Sequence, residues 1–311
     1  MERYVTSIAL VGVMLALSGM AWASGSVDLD KKQLREGLAS RIENAIKQKR
    51  PDSQIDVKPS HVKLQRVEPT SASVEDMDIP LYAIKASVKS PVGKGQPSTV
   101  KMIVDRSGEL QLSVQEVANG RSLFQKAKDV VSSKKIDPSW GQTVFEGAGS
   151  QDVFLVIDPF CGYCRKAVSW FMDHREKVGE LRIMQVPYAK KRGSDVVSWA
   201  FTDGSEVVAP KKLLAYLYSG DLKPLKKGAS EEDKSRILKQ VMQEFPALKK
   251  KWGTAEQGYY YLKGKFEEVG QKNIQIAQKQ LEVRATPGVF VDGVPVKGWN
   301  PQRYGELLAE K

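Results

Sequence analysis

The sequence predicts an α/β domain with a large helical insertion, preceded by a small α+β unit and a connecting helix. Three observations carry that reading. Val153 to Ile157 are five apolar residues in a row, as in a strand buried on both faces. They lead through Asp158-Pro159 and Cys161 into a segment with Cys164, Ala167, Val168, Phe171 and Met172 at helical spacing. Earlier in the chain, apolar residues alternate with polar ones in several short runs, the period of antiparallel strands with one wet face. Later, from about 194 to 283, apolar pairs recur at helical spacing and are interrupted by Gly220, Pro224 and Pro246. A length of 311 residues exceeds the usual single domain, so two domains are expected.

Taken in order, the N-terminus reads as a secretory signal over residues 1–23. Arg3 precedes an apolar run from Ile8 to Leu17, and Ala21-Trp22-Ala23 forms a small-residue site, which places cleavage after Ala23. Ser18 and Gly19 interrupt that run short of a membrane span, and no later segment is apolar enough to make one. Residues 24–116 form the α+β unit. Ser26 is expected to cap a helix whose Leu34, Leu38, Ile42 and Ile46 repeat every four residues until Pro51 stops it. Strands follow at Val62 and Leu64, at Tyr82, Ile84, Ala86 and Val88, and at Val100, Met102 and Val104. A turn at Arg106 to Glu109 then closes a hairpin with Leu110, Leu112 and Val114. Such a unit is small for a stable core, which favours pairing with a second copy.

Residues 117–140 are expected to hold a linker helix, capped by Asn119 and carrying Leu123, Phe124, Ala127, Val130 and Val131. Its short apolar stripe equally suits the first helix of the next domain. That domain spans 141–311. A short strand at Thr143 to Phe145 precedes the buried strand and the cysteine helix, and Leu181 to Val186 is a further strand. The helical insert occupies about 194–283. Ala285-Thr286-Pro287 then leads into Gly288 to Val291, a turn at Asp292-Gly293, and Val294 to Val296, which read as a hairpin. Asn300 and Pro301 supply the cap and first position of a final helix.

Loss of residues 1–23 removes one base, Arg3, and one acid, Glu2, so the net charge of +11 is unchanged. Its lysines are spread over many segments, as on a solvated basic surface, and no nucleic-acid motif is present. The chain has two cysteines, both in one CxxC. A secreted chain stapled for stability carries several spaced pairs, and a bridge across so small a loop adds little, so chemistry explains the pair better. A structural disulfide or half a metal site are the alternatives. Only His61 and His174 could add soft ligands, and neither has a zinc-like spacing, so no metal is expected. His174 reads as an exposed helix residue rather than a base, and Tyr259-Tyr260-Tyr261 as core or helix-packing residues.

Asp158-Pro159-Phe160-Cys161-Gly162-Tyr163-Cys164, Ala285-Thr286-Pro287 ahead of a strand, and Asp292-Gly293 through Gly298-Trp299-Asn300-Pro301 occur in this order. With Val186-Pro187 through Ser194-Asp195, they make the second domain resemble the thioredoxin superfamily, and the whole layout resembles the periplasmic disulfide isomerases of the DsbC/DsbG type. The resemblance implies a thioredoxin fold, a periplasmic location and an N-terminal dimerisation domain in a homodimer. It also implies a cis Thr286-Pro287 bond beside Cys161, whereas the residues alone leave Pro287 as an edge or turn proline. Misoxidised or unfolded exported proteins would be its substrates and a membrane reductase of the DsbD type its reducing partner. No cofactor is implied beyond the redox-active cysteine pair. Two departures stand out. DsbC carries a second, structural cysteine pair that this chain lacks, Trp199-Ala200-Phe201 being apolar instead, and the interval from Cys161 to Thr286 is longer than expected.

At a helix N-terminus free N–H groups and the helix dipole stabilise a thiolate, and Arg165 and Lys166 are expected to add positive potential. Cys161 is therefore the expected nucleophile and Cys164, one turn further in, the resolving thiol, with Gly162, Tyr163, Thr286 and Pro287 tuning the site or pairing with substrate. The expected activity is disulfide isomerisation and reduction. A DsbA-like dithiol oxidase and a chaperone-like binding protein with an apolar cleft remain open alternatives.

Overall fold

The computed structural model of the protein describes residues 29–49, 56–74, 77–89, 96–105, 117–118, 121–189 and 192–309. The expected signal segment, Ser26, Pro51, Asn119 and the hairpin of residues 106–114 lie outside them.

The first helix, α1 (Lys31–Lys49), is capped by Asp30, whose Oδ1 accepts the N–H groups of Lys32 at 2.8 Å and Gln33 at 3.3 Å. Its four-residue repeat does what the spacing predicts. Leu34 and Leu38 are fully buried against Ile84, Ala86 and Val104, with Ile42 and Ile46 beside them. These partners come from the antiparallel sheet β1-β2-β3, formed by β1 (Val62–Val74), β2 (Met77–Val88) and β3 (Ser98–Val104). The strands outrun the alternation that announced them. Leu81, Ala83 and Ile103 are buried as well, so the sheet is covered on its second face too.

A short ladder, β4 (Val117–Ala118) with β5 (Arg121–Ser122), precedes α2 (Leu123–Ser132). Helix α2 packs on all three strands of the N-terminal sheet. It also reaches the last strand of the next unit, so it is wedged between the two units.

The second unit is built on five strands: β6 (Gln142–Glu146), β7 (Gln151–Ile157), β8 (Val178–Gln185), β9 (Gly288–Val291) and β10 (Val294–Lys297). Their order is β10-β9-β7-β8-β6, with β7 and β8 parallel and the other pairs antiparallel. Helix α3 (Gly162–Asp173) makes the crossover between the parallel pair. This is a thioredoxin-like sheet. Its central strand explains the apolar run: Val153, Leu155 and Ile157 enter the main core, while Phe154 and Val156 enter a smaller one with Met184 and Phe290.

The insert comprises α4 (Ser194–Gly204), α5 (Pro210–Tyr218), α6 (Glu231–Glu244), α7 (Pro246–Trp252) and α8 (Ala255–Gln275). Ser230 with Asp233, and Thr254 with Gln257, form capping boxes that start α6 and α8. Asp203, fully buried on α4, gathers the other helices. It accepts from Trp252 Nε1 at 2.8 Å, Lys251 Nζ at 2.9 Å and Lys265 Nζ at 2.7 Å. One expectation fails here. Consecutive residues on a helix point about 100° apart, so only Tyr259 of the tyrosine run enters the core, while Tyr260 and Tyr261 are 53% and 45% exposed. The last helix, α9 (Pro301–Leu308), starts as expected, with Asn300 Oδ1 accepting the Arg303 N–H at 3.1 Å.

Candidate active site

The buried strand β7 ends at Asp158, and the chain must turn at once to start α3. Asp158 organises that turn. Its Oδ1 accepts the Phe160 N–H at 2.8 Å, and its Oδ2 accepts the Ala189 N–H at 2.9 Å from the loop after β8. Burial raises its carboxyl above the usual range, against the lowering effect of the Ala189 and Phe160 hydrogen bonds. The turn delivers Cys161 to the N-cap of α3, in extended backbone, where its sulfur accepts the Cys164 N–H at 3.3 Å.

Cys161 and Cys164 are both free thiols, the first half-buried and the second fully buried. The environments split them. A hydrogen bond from the Cys164 thiol, resisted by burial and helped by Thr286 and by the Cys164 and Tyr163 N–H groups, brings the Cys161 pKa down to about 6. Burial, then the adjoining Cys161, push Cys164 far up. One sulfur is thus a thiolate at neutral pH and the other holds its proton.

The basic residues after the pair act differently from the expectation. Arg165 Nε donates to the Pro159 carbonyl at 3.1 Å and Nη2 to the Leu222 carbonyl at 3.0 Å, tying the cysteine turn to the insert. Lys166 lies over the Tyr163 ring, 5.5 Å from its centroid. Neither is a cause of the lowered Cys161 pKa; hydrogen bonds at the helix start are.

The other half of the site arrives from the far end of the sheet. The Thr286-Pro287 bond is cis, and the Cys161 thiol donates to the Thr286 carbonyl at 3.4 Å. Tyr188 Oη donates to the Val283 carbonyl at 3.2 Å, which anchors the segment leading to Thr286. Gly288 leaves room for Val283, whose methyls would lie 2.7 and 2.8 Å from an added Cβ. Gly162 faces open space and Tyr163 is 58% exposed, so the dipeptide between the cysteines forms the rim of the site.

Two residues of this surrounding escaped the sequence reading. Asp158 passed as an ordinary turn residue, although an acid two positions before Phe160 at the end of a buried strand marks an Asx turn. Tyr218, from α5, is fully buried with a hydroxyl that has no partner among the described residues. Burial, then the nearby Cys164, Asp158 and Cys161, hold its pKa well above the ordinary tyrosine value. No sequence signal connects it to the cysteines. Both histidines lie outside this arrangement: His174 is half-buried and stacks on Trp170 with centroids 4.0 Å apart, and His61 Nδ1 accepts the Lys58 N–H. Among the described residues no group of three or more His, Cys, Asp or Glu side chains could hold a metal ion, and no helix is long and apolar enough to cross a membrane.

The geometry suits thiol–disulfide exchange: an accessible thiolate, a protonated thiol within reach of it, and a backbone carbonyl at the sulfur where an extended peptide could pair. No protein-family profile matches the chain, and no curated protein is significantly similar to it. Solved structures similar to it include oxidised BdbD from Bacillus subtilis, at 17% identity and a TM-score of 0.41 over 56% of this chain and 92% of that one. Another is DsbA from Chlamydia trachomatis, at 16% identity and a TM-score of 0.41 over 56% and 92%. A protein-disulfide isomerase from Novosphingobium aromaticivorans is similar at 10% identity and a TM-score of 0.37 over 54% and 97%. At these identities and TM-scores the likeness assigns no activity.

Proposed function

We propose that this protein is an exported, homodimeric thiol–disulfide exchange enzyme that isomerises and reduces wrong disulfides. The observation that carries the reading is the division of labour between the two sulfurs: Cys161 half-exposed beside Thr286 with its pKa near 6, and Cys164 buried and protonated one turn away. A strongly oxidising CxxC holds its nucleophile near pKa ~3.5 and a reducing one near ~7. Cys161 stands toward the reducing end, because hydrogen bonds rather than adjoining cations stabilise its thiolate.

In this reading the Cys161 thiolate attacks one sulfur of a substrate disulfide. A new S–S bond joins enzyme and substrate, the old one breaks, and the second substrate sulfur leaves as a thiolate. The substrate backbone pairs with the Thr286 segment as an added strand, which accepts many sequences, and Tyr163 borders the cleft. If the freed thiolate attacks elsewhere in the substrate and returns Cys161, the net result is isomerisation without electron transfer. If it does not, Cys164 loses its proton and attacks Cys161, releasing a reduced substrate. The Cys161–Cys164 disulfide then needs two electrons from a membrane reductase of the DsbD type.

The deciding experiment is refolding of a scrambled-disulfide substrate by the reduced protein. Recovery of native substrate that Cys161→Ala abolishes, with net oxidation of a reduced substrate slow by comparison, is the expected result. Rapid net oxidation by the disulfide form would replace this reading with a dithiol oxidase. Aggregation suppression unaffected by Cys161→Ala and Cys164→Ala, without isomerisation, would replace it with a chaperone. Deletion of residues 24–116 is expected to halve the solution mass beyond the mass removed, and an unchanged monomer would reject the dimer.

A further inference from the structure

A row of cations crosses the N-terminal sheet. The strand register sets Arg66 of β1 opposite Lys85 of β2, and Lys85 opposite Lys101 of β3, so three basic side chains stand abreast on one face. That face meets the end of α2. Arg66 Nη1 donates to Ser133 O at 2.8 Å and to Ser133 Oγ at 3.0 Å, and Lys101 Nζ donates to Ser132 Oγ at 2.5 Å. Lys85 reaches Glu282 at 3.8 Å, but the same carboxylate already binds Lys134 at 2.9 Å.

The acids present leave the row in positive excess. Arg66 has Glu68 at 2.7 Å, and Glu282 is shared by two lysines. Lys101 has only the Ser132 hydroxyl and no ion pair among the described residues. Lys128, one helical turn before Ser132 on α2, and Lys297 on the edge strand β10 approach it from two further elements. Burial first, then repulsion from Lys85, Lys128 and Lys297, hold its ammonium below the usual lysine range, with only Glu282 opposing. Like charges set directly opposite on neighbouring strands destabilise a sheet, so something must offset this arrangement. Lysine ammoniums around a serine hydroxyl are a donor set for a tetrahedral oxyanion, which accepts from several of them at once.

We propose that Lys101, Lys128 and Lys297, with Lys85 behind them, bind a phosphate-type oxyanion at the junction of the N-terminal sheet, α2 and β10. The occupant bridges the N-terminal unit and the cysteine-bearing unit, and its binding is independent of the thiol chemistry. Two sources carry this chemistry, free phosphate and an anionic lipid headgroup.

The test titrates the full chain with inorganic phosphate by calorimetry, with sodium chloride at equal ionic strength as control, and separately sediments it with phosphatidylglycerol vesicles. Saturable binding in either arm is expected, weakened about tenfold or more in Lys101→Met and in Lys297→Gln, the loss of one close charge contact. The arm that responds names the source. Absence of binding in both arms, or binding that survives the substitutions, overturns the proposal. Far-UV circular dichroism checks both variants. Because Lys297 is exposed on an edge strand, Lys297→Gln decides the matter if Lys101→Met does not fold.

Discussion

The Cys161 sulfur and the Thr286 carbonyl oxygen lie 3.4 Å apart although 125 positions separate them in the chain. Strand β7 brings one to the end of the sheet and the segment before β9 brings the other, because β7 and β9 are hydrogen-bonded neighbours. A thiol held this way sheds its proton only if the thiolate has better partners than the thiol. It does: the Cys164 thiol and the N–H groups of Cys164 and Tyr163 all donate toward it.

Cys161 is therefore expected to titrate near pH 6, read as thiolate absorbance at 240 nm or as the pH dependence of alkylation. Cys164→Ala removes the largest cause and should move the midpoint upward. The folded pKa lies below the unfolded value of an ordinary thiol. The stabilisation of the reduced form is thus complete above the unfolded pKa and is lost as pH falls through about 6. Urea midpoints of the reduced protein at several pH values measure this, and a midpoint that rose on acidification between pH 9 and 6 would contradict it.

Arg165 separates two explanations of the reactive thiol. If cationic potential lowered the Cys161 pKa, Arg165→Met would raise it. Because the guanidinium is spent on the Pro159 and Leu222 carbonyls, the substitution should leave the midpoint near 6 while lowering stability by about 1–3 kcal/mol through two unpaired acceptors. Alkylation profiles and urea unfolding of the same variant give both readouts.

Asp158→Ala tests the turn that presents Cys161. The Phe160 and Ala189 N–H groups lose their acceptor, at about 2 kcal/mol for buried donors left unmade. Removal of a buried carboxyl offsets part of that. The more specific expectation is a slower Cys161 reaction with a peptide disulfide at a pH where the thiolate is fully formed. An unchanged rate would show that the turn holds without Asp158.

How far these relationships were legible in the sequence depends on their range. The apolar run Val153 to Ile157, the cysteine spacing and the Asn300 cap act within a few residues, and the sequence displays each of them. Ordered motifs extended the reading to Thr286-Pro287, which a lone proline could not have done. Arg165 is different: its charge is visible in the sequence, but its partner carbonyls at Pro159 and Leu222 exist only after α5 packs against α3. Tyr218 is hidden for the same reason, since a tyrosine in an amphipathic helix looks like packing until the fold sets it beside the cysteines. The exposed Tyr260 and Tyr261 correct an inference made from residue type without regard to helical phase.

Asp203 shows what holds the long insert, and its removal is the sharpest stability test. The carboxylate is fully buried, and Trp252 Nε1, Lys251 and Lys265 all donate to it from α7 and α8. Burial alone would raise its pKa, but these three donors outweigh that and leave it lowered. A depressed carboxyl contributes stability above its unfolded pKa and loses it as pH falls through the folded value, so this contribution should persist down to about pH 4 and vanish only below it. Asp203→Ala leaves the Trp252 N–H without an acceptor and two ammoniums without a counter-charge. Because both lysines keep some contact with solvent, the expected cost is about 3 kcal/mol, at the low end for breaking a buried pair. Urea unfolding with an unchanged m-value should show it as a lower midpoint. The Cys161 titration should stay near 6, since none of the groups that set it touches Asp203; a midpoint moved in step with stability would mean that the insert also shapes the thiol site.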